Sequence, residues 1–168
     1  MVKRLLGMAL ALGVLAGGGP AVGGASPTEE LKIEEVITAV IDAYRSGDYA
    51  AMGRYYAPEV TMVPGDYNPP LSGWTQAEER YRQASASLTG VEMTRENTRI
   101  VRRGNLAWAV YQWRYAAFVG TQTVGAQGHT TLVLEKRGGK WLILHNHTSA
   151  LPPSCAPEKP PAAPPPSF

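Results

Sequence analysis

The chain has 168 residues, with 16 Lys and Arg against 14 Asp and Glu, a formal charge of +2. That length allows one ordinary domain with a real core. Two of the cations, Lys3 and Arg4, sit in a leader-like segment, and the remainder balances, so neither nucleic acid nor an anionic membrane is an expected partner.

The first 25 residues carry that basic start, an apolar run from Leu5 to Ala16, and small residues ending in Ala25 before Ser26. This is the pattern of a secretory signal peptide. The apolar run is too short to span a bilayer comfortably. Cleavage after Ala25 and export, periplasmic or secreted, are expected, with no stable membrane span left behind. At the other end, Leu151 to Phe168 is dominated by proline and alanine and is expected to stay disordered or polyproline-like. The folded domain is therefore expected over residues 26–150. The one cysteine, Cys155, lies in the tail, so an internal disulfide and a cysteine-ligated zinc site are excluded.

From Glu30 to Arg45 apolar residues recur at helical spacing: Ile33, Val36, Ile37, Val40, Ile41 and Tyr44, with Leu31 ahead of them. Thr28 is the expected N-cap. Ser46-Gly47 stops the helix, and Asp48 is placed to cap a second one, Tyr49 to Tyr56. Glu59 to Val63 reads as a strand, followed by a Pro- and Gly-rich loop through Gly73. Thr75 and Glu78 have capping-box spacing for a third helix that Gly90 closes.

The pattern then becomes strand-like. Val91 to Val101, Leu106 to Val119, His129 to Lys136 and Trp141 to Ser149 are expected strands, with Gly138-Gly139 as a two-residue hairpin turn. Gly120 to Gly128 is expected as a loop or the frayed start of the third of these. Helices first and antiparallel strands afterwards give an α+β fold. The strands are apolar at odd and even positions alike, so both sheet faces are expected to be covered, the second by another copy of the chain.

The hairpin sets the direction of the histidines. A two-residue turn at Gly138-Gly139 pairs Glu135 with Leu142, Val133 with Leu144, Leu132 with His145 and Thr130 with His147. Opposite residues share a sheet face. Trp141, Ile143, His145 and His147 are then on one face and His129 on the other. His145-x-His147 is ligand spacing, but only a β-bulge would gather all three histidines, and no metal or cofactor is expected. In the Leu106–Val119 strand, Trp108, Val110, Gln112 and Arg114 share one face, and Ala109, Tyr111, Trp113 and Tyr115 the other. Arg114 needs a partner, either a helix carboxylate such as Glu78 or Glu79, an interface group or an anionic ligand. Nucleophile elbows, phosphate loops and dinucleotide motifs are absent from the sequence.

Three stretches carry a family resemblance: AYRSGDYAAMGRYYAPEVTMV, LSGWTQAEERYR and GGKWLILHNHTSALP. Together they resemble the SnoaL-like, nuclear-transport-factor-two-like superfamily. The last is also similar to the end of the calcium/calmodulin-dependent kinase II association domain, through Gly139, Lys140, Trp141, His145, His147, Ser149 and Pro152. The resemblance implies a cone-shaped α+β barrel, with three N-terminal helices on a strongly curved antiparallel sheet, a pocket at the open end, and dimers through the outer sheet face. Isomerases and cyclases of that superfamily use a pocket aspartate. Here Asp42 and Asp48 belong to helix surface and cap, and Asp66 falls in a loop. The expectation is an exported, homodimeric domain binding a small aromatic or acidic molecule, with Tyr44, Tyr56, Trp74, Trp108, Arg114, His145 and His147 as candidates for contact. The alternatives are an isomerase, dehydratase or cyclase with a pocket histidine as general base, and a non-catalytic assembly module.

Overall fold

Helical spacing of Ile33, Val36, Ile37, Val40 and Ile41 puts one apolar stripe on α1 (Pro27–Ser46), and that stripe is buried along its whole length. Ile33 and Ile37 are fully enclosed. Each such side chain contributes about 1.5–3 kcal/mol of burial before entropy is subtracted. Leu31 falls off the stripe and is 61% exposed. The computed structural model describes residues 27–151. The expected signal segment and nearly all of the proline-rich tail lie outside the described residues.

Pro27 opens α1, where its missing N–H costs nothing, so Thr28 sits inside the first turn rather than capping it. Asp48 does cap α2 (Tyr49–Gly53), its Oδ1 accepting from the Ala51 amide at 2.9 Å. This helix is shorter than expected because Tyr56 already begins β1 (Tyr56–Val63). The two-residue β2 (Leu71–Ser72) emerges from the proline-rich loop and pairs with β1. At the start of α3 (Trp74–Ser85) the capping residue is Gly73, without a side-chain bond. Gln76 takes the capping role instead, accepting from the Ser72 amide at 3.2 Å. Glu78 accepts from the Trp74 indole at 3.1 Å and pairs with Arg82.

Four long strands follow: β3 (Leu88–Arg103), β4 (Leu106–Val119), β5 (Gln122–Arg137) and β6 (Lys140–Ala150). They form one six-stranded sheet in the order β2-β1-β6-β5-β4-β3. The sheet is curved and unclosed, its ends being β2 and β3. β1 runs parallel to β6, the one departure from an antiparallel arrangement. Pro58 lacks the amide that a regular ladder needs, and the β1–β6 register breaks between Tyr56 and Thr61. Of the two alternatives for Gly120–Gly128, the strand start holds and the loop does not: β5 begins at Gln122 and is paired continuously with β4. Gly128 sits there because a Cβ would lie 1.9 Å from the Ser149 carbonyl oxygen and 2.7 Å from the Trp113 ring.

α1 crosses the concave face and touches β3 and β6. Its stripe meets Ala107 and Ala109, whose small side chains leave room for a helix, together with Leu132, Leu134 and Ile143. The start of α1 is clasped to the β5–β6 hairpin through Glu29, which accepts from Lys136 Nζ at 2.8 Å and from the Trp141 indole at 2.9 Å. Gly138 and Gly139 both have positive φ, as a tight hairpin turn requires.

Hydrogen bonds from Lys136, Lys32 and Trp141 hold the Glu29 carboxyl down to about 2. A carboxyl depressed on folding contributes stability above its unfolded pKa, near 4.3, and loses it as pH falls through its folded value. Chemical denaturation across that window, from about pH 4.5 down to about pH 2, is expected to show a fall in stability that Glu29→Gln flattens. An unchanged slope in the variant would contradict the clasp.

Candidate functional site

The β5–β6 hairpin starts in the register that its turn dictates, with Glu135 opposite Leu142 and Leu134 opposite Ile143. A β-bulge then intervenes, and Val133 pairs with His145 rather than with Leu144. One extra residue inverts every side chain beyond it. Trp141 and Ile143 point into the core as expected, but Asn146 takes over the buried face next, with Thr148 after it. His145 and His147 turn to the convex face, opposite Val133 and Thr131. His129 is exposed on that same face, beside Gln112 at 3.4 Å.

The bulge therefore does gather the three histidines on one side, contrary to the expected separation. The rings of His145 and His147 are 6.5 Å apart between centroids. Among the described residues no group of three or more His, Cys, Asp and Glu side chains is arranged to hold a metal ion.

On the concave side a cavity of about 220 Å³ opens between α1, α3 and the sheet. Its walls are aromatic: Tyr44 from α1, Tyr56 from β1, Tyr81 from α3, and Tyr111, Trp113 and Tyr115 from β4. Met52 and Met93 fill between them, and Thr130, Asn146 and Thr148 supply one polar edge. No histidine, carboxylate, lysine or arginine is among the lining residues.

The polar edge is a connected chain. Asn146 Nδ2 donates to the Tyr56 hydroxyl at 3.0 Å, and Thr148 Oγ1 donates to Asn146 Oδ1 at 3.2 Å. Thr130 and Thr148 hydroxyls meet at 3.1 Å. Because Thr148 has given its proton to Asn146, Thr130 is the donor in that pair. The Tyr111 hydroxyl lies beside Thr130, and that of Tyr81 beside Tyr56. Such a network fixes the Asn146 amide in a largely apolar wall, where an unpaired amide would be costly.

Burial pushes the Tyr44 and Tyr111 phenols up to about 12 and those of Tyr56, Tyr81 and Tyr115 upward as well. All five stay protonated at neutral pH. The cavity can thus donate and accept hydrogen bonds and present aromatic faces, but it holds no group poised to remove a proton near pH 7.

Of the seven residues expected around a ligand, Tyr44 and Tyr56 line the cavity. Trp74 stacks on Tyr56 at 4.7 Å and 26° but stands behind it. Trp108, Arg114, His145 and His147 are on the convex face and do not reach the cavity. Arg114 finds its partner across the strands in Glu96, at 3.1 Å, and in Gln127, not in Glu78 or Glu79. Asp66 pairs with Arg80 at the surface, Asp42 with Arg45, and Asp48 caps α2. None of the three aspartates lines the cavity. The residues that the sequence did not single out are Tyr81, Tyr111, Trp113, Tyr115, Thr130, Asn146 and Thr148. For Tyr111, Trp113 and Tyr115 the signal was present: they share a strand face with Ala107 and Ala109, the face a helix can approach.

No curated protein matches the chain. Among solved structures, a Streptomyces avermitilis protein called a dehydratase of the NTF2-like family superimposes with a TM-score of 0.68 at 17% identity, over 74% of this chain and 97% of its own. A Xanthomonas campestris protein called a calcium/calmodulin-dependent protein kinase II association domain gives 0.66 at 21%, over 77% and 95%. An NTF2-like protein of Salmonella enterica gives 0.66 at 22%, over 79% and 99%. At these identities the likeness is one of fold. The model of the SnoaL-like domain family matches residues 33–153, which span every strand and α1 from Ile33 onward, and the chain belongs to that family.

Proposed function

We propose that this domain binds a small, uncharged or cationic, largely apolar molecule in the concave cavity, without acid–base catalysis. The observation that carries the reading is the lining itself: six aromatic rings, one hydroxyl–amide edge, and no charged side chain. A carboxylate-bearing ligand finds no cation there, so the acidic half of the expectation loses its support. A histidine general base finds no support either, because His145 and His147 face the other way. The volume of about 220 Å³ falls below the roughly 300–1,000 Å³ of pockets for drug-sized molecules, which favours a small ligand.

The reading includes export and self-association. Export through a cleaved leader rests on the pattern of residues 1–25 and requires an exported mature protein that begins at Ser26; retention in the cytoplasm at full mass would remove it. Self-association rests on the convex face. Trp108 and Val110 are 41% and 37% exposed there, with Val101 and Val133 paired to Trp108 on either side. A second copy on that face would cover them, with His145 and His147 in the contact. Sedimentation equilibrium is expected to give a dimer that Trp108→Arg converts to monomer, and a monomeric wild type would exclude it.

Ligand binding in the cone is testable without knowing the natural ligand. Ala126 stands at the cavity mouth, where a large side chain would close it. Small neutral aromatic probes such as phenol or indole are expected to raise the melting temperature of the wild type by linkage. Ala126→Trp is expected to abolish that shift, whereas His147→Ala should leave it intact. A shift that survives Ala126→Trp and disappears in His147→Ala would place binding on the convex face instead.

A further inference from the structure

Resting on the cavity reading above, the geometry points to a narrower ligand class: a quaternary ammonium group, held by the tyrosine faces without a counter-charge.

Ring orientation is the first ground. Tyr44 meets Tyr81 at 5.8 Å and 69°, and Tyr115 at 6.4 Å and 56°. A flat aromatic guest is best held between parallel walls. Steeply inclined walls instead enclose a rounded group and let several negative ring faces approach it, as cation–π recognition requires.

Satisfaction of polar groups is the second ground. A primary or secondary ammonium brings charged N–H donors best met by a carboxylate, and none lines the cavity, whose Asn146, Thr148 and Tyr56 oxygens already accept from within the wall. A fully methylated nitrogen has no N–H to leave unpaired. Its apolar methyl surface suits walls of Tyr, Trp and Met, and its charge is spread widely enough to leave water for ring faces.

The third ground is that rings of the same cluster already hold cations. Arg95 lies over the Tyr111 ring at 5.9 Å, and Arg82 over Tyr49 at 5.7 Å. Tyr49 in turn stacks on Tyr81 at 5.7 Å and 10°. Each guanidinium is balanced by a carboxylate, Glu34 at 2.6 Å from Arg95 and Glu78 at 2.6 Å from Arg82. The wall therefore carries no net positive charge to repel a guest.

Calorimetric titration of the purified protein with choline and with its neutral carbon isostere 3,3-dimethylbutan-1-ol tests this. The two have the same shape and differ in charge. Choline is expected to bind about tenfold tighter or more. Tyr115→Phe should keep that preference and Tyr115→Leu should lose it. Because Tyr115 is only half-buried, the leucine variant is expected to remain folded, which its melting curve checks. Should Tyr115→Leu fail to fold, Tyr44→Leu, at another half-buried wall ring, takes its place and is likewise expected to lose the preference for choline. Equal or tighter binding of the alcohol would overturn the ammonium assignment and leave the cavity reading standing. Binding of phenol or indole but of neither titrant would do the same. Absence of binding by all four compounds would remove both.

Discussion

An extra residue in the last strand decides what each face of the sheet presents. Between Ile143 and His145 the pairing with β5 skips Leu144. A strand has a side-chain period of two, so this one insertion exchanges inside for outside along the rest of β6. Before the bulge, Trp141 and Ile143 close the core beneath α1. After it, Asn146 and Thr148 enter the cavity and the histidines leave it. With the regular register, two imidazoles would occupy the wall now held by an amide and a hydroxyl. The wall would then have carried two imidazole bases; as built, it carries none.

The rest of the cavity follows from how the helices are held over the sheet. Ala107 and Ala109 pack in the core with the stripe of α1, while Tyr111, Trp113 and Tyr115, further along the same strand face, line the cavity. The same strand face thus supplies packing at its start and a cavity at its end. α3 adds Tyr81, and Tyr56 ties the cavity floor to Asn146. The network from Tyr111 through Thr130, Thr148 and Asn146 to Tyr56 spans four elements of sequence but one patch of wall. Its members satisfy one another, which makes it affordable in an apolar setting and leaves the aromatic faces as the dominant surface a guest would meet. The convex side is different in kind: Trp108, Val110 and Val133 beside His129, Gln112 and the Arg114–Glu96 pair.

The architecture was readable in the sequence because periodicity and turn chemistry act locally. The Ile33–Ile41 stripe, the Asp48 cap and the Gly138-Gly139 turn each specify their element from a few neighbouring residues, and each stands where expected, as do the helix-then-strand order and the family likeness. What local signals could not deliver was parity. Nothing in LILHNHT marks Leu144 as the extra residue, since a bulge is set by what pairs across the ladder and what packs on it. The seven candidate residues therefore divided: Tyr44 and Tyr56 inward, Trp74 stacked behind Tyr56, and Trp108, Arg114, His145 and His147 outward. Conspicuous residue types drew attention to the histidines, while Asn146 between them was the buried one. The β4 face could have been chosen from its alanines, which only make sense against a helix. Gly120–Gly128 left loop and strand start open, because its glycines serve both uses: Gly120 makes the turn, while Gly128 lies in the strand and leaves room for the Ser149 carbonyl and the Trp113 ring.

The inversion of β6 is the claim on which the reading of both faces stands, and nuclear Overhauser contacts measure it directly. With the bulge at Leu144, the Asn146 side-chain amide protons should show contacts to the Tyr56 ring, and Thr148 to Thr130, while the ring protons of His145 and His147 show contacts to Val133 and Thr131. Contacts from either imidazole to the rings of Tyr56 or Tyr111 would contradict the account, returning the histidines to the cavity wall.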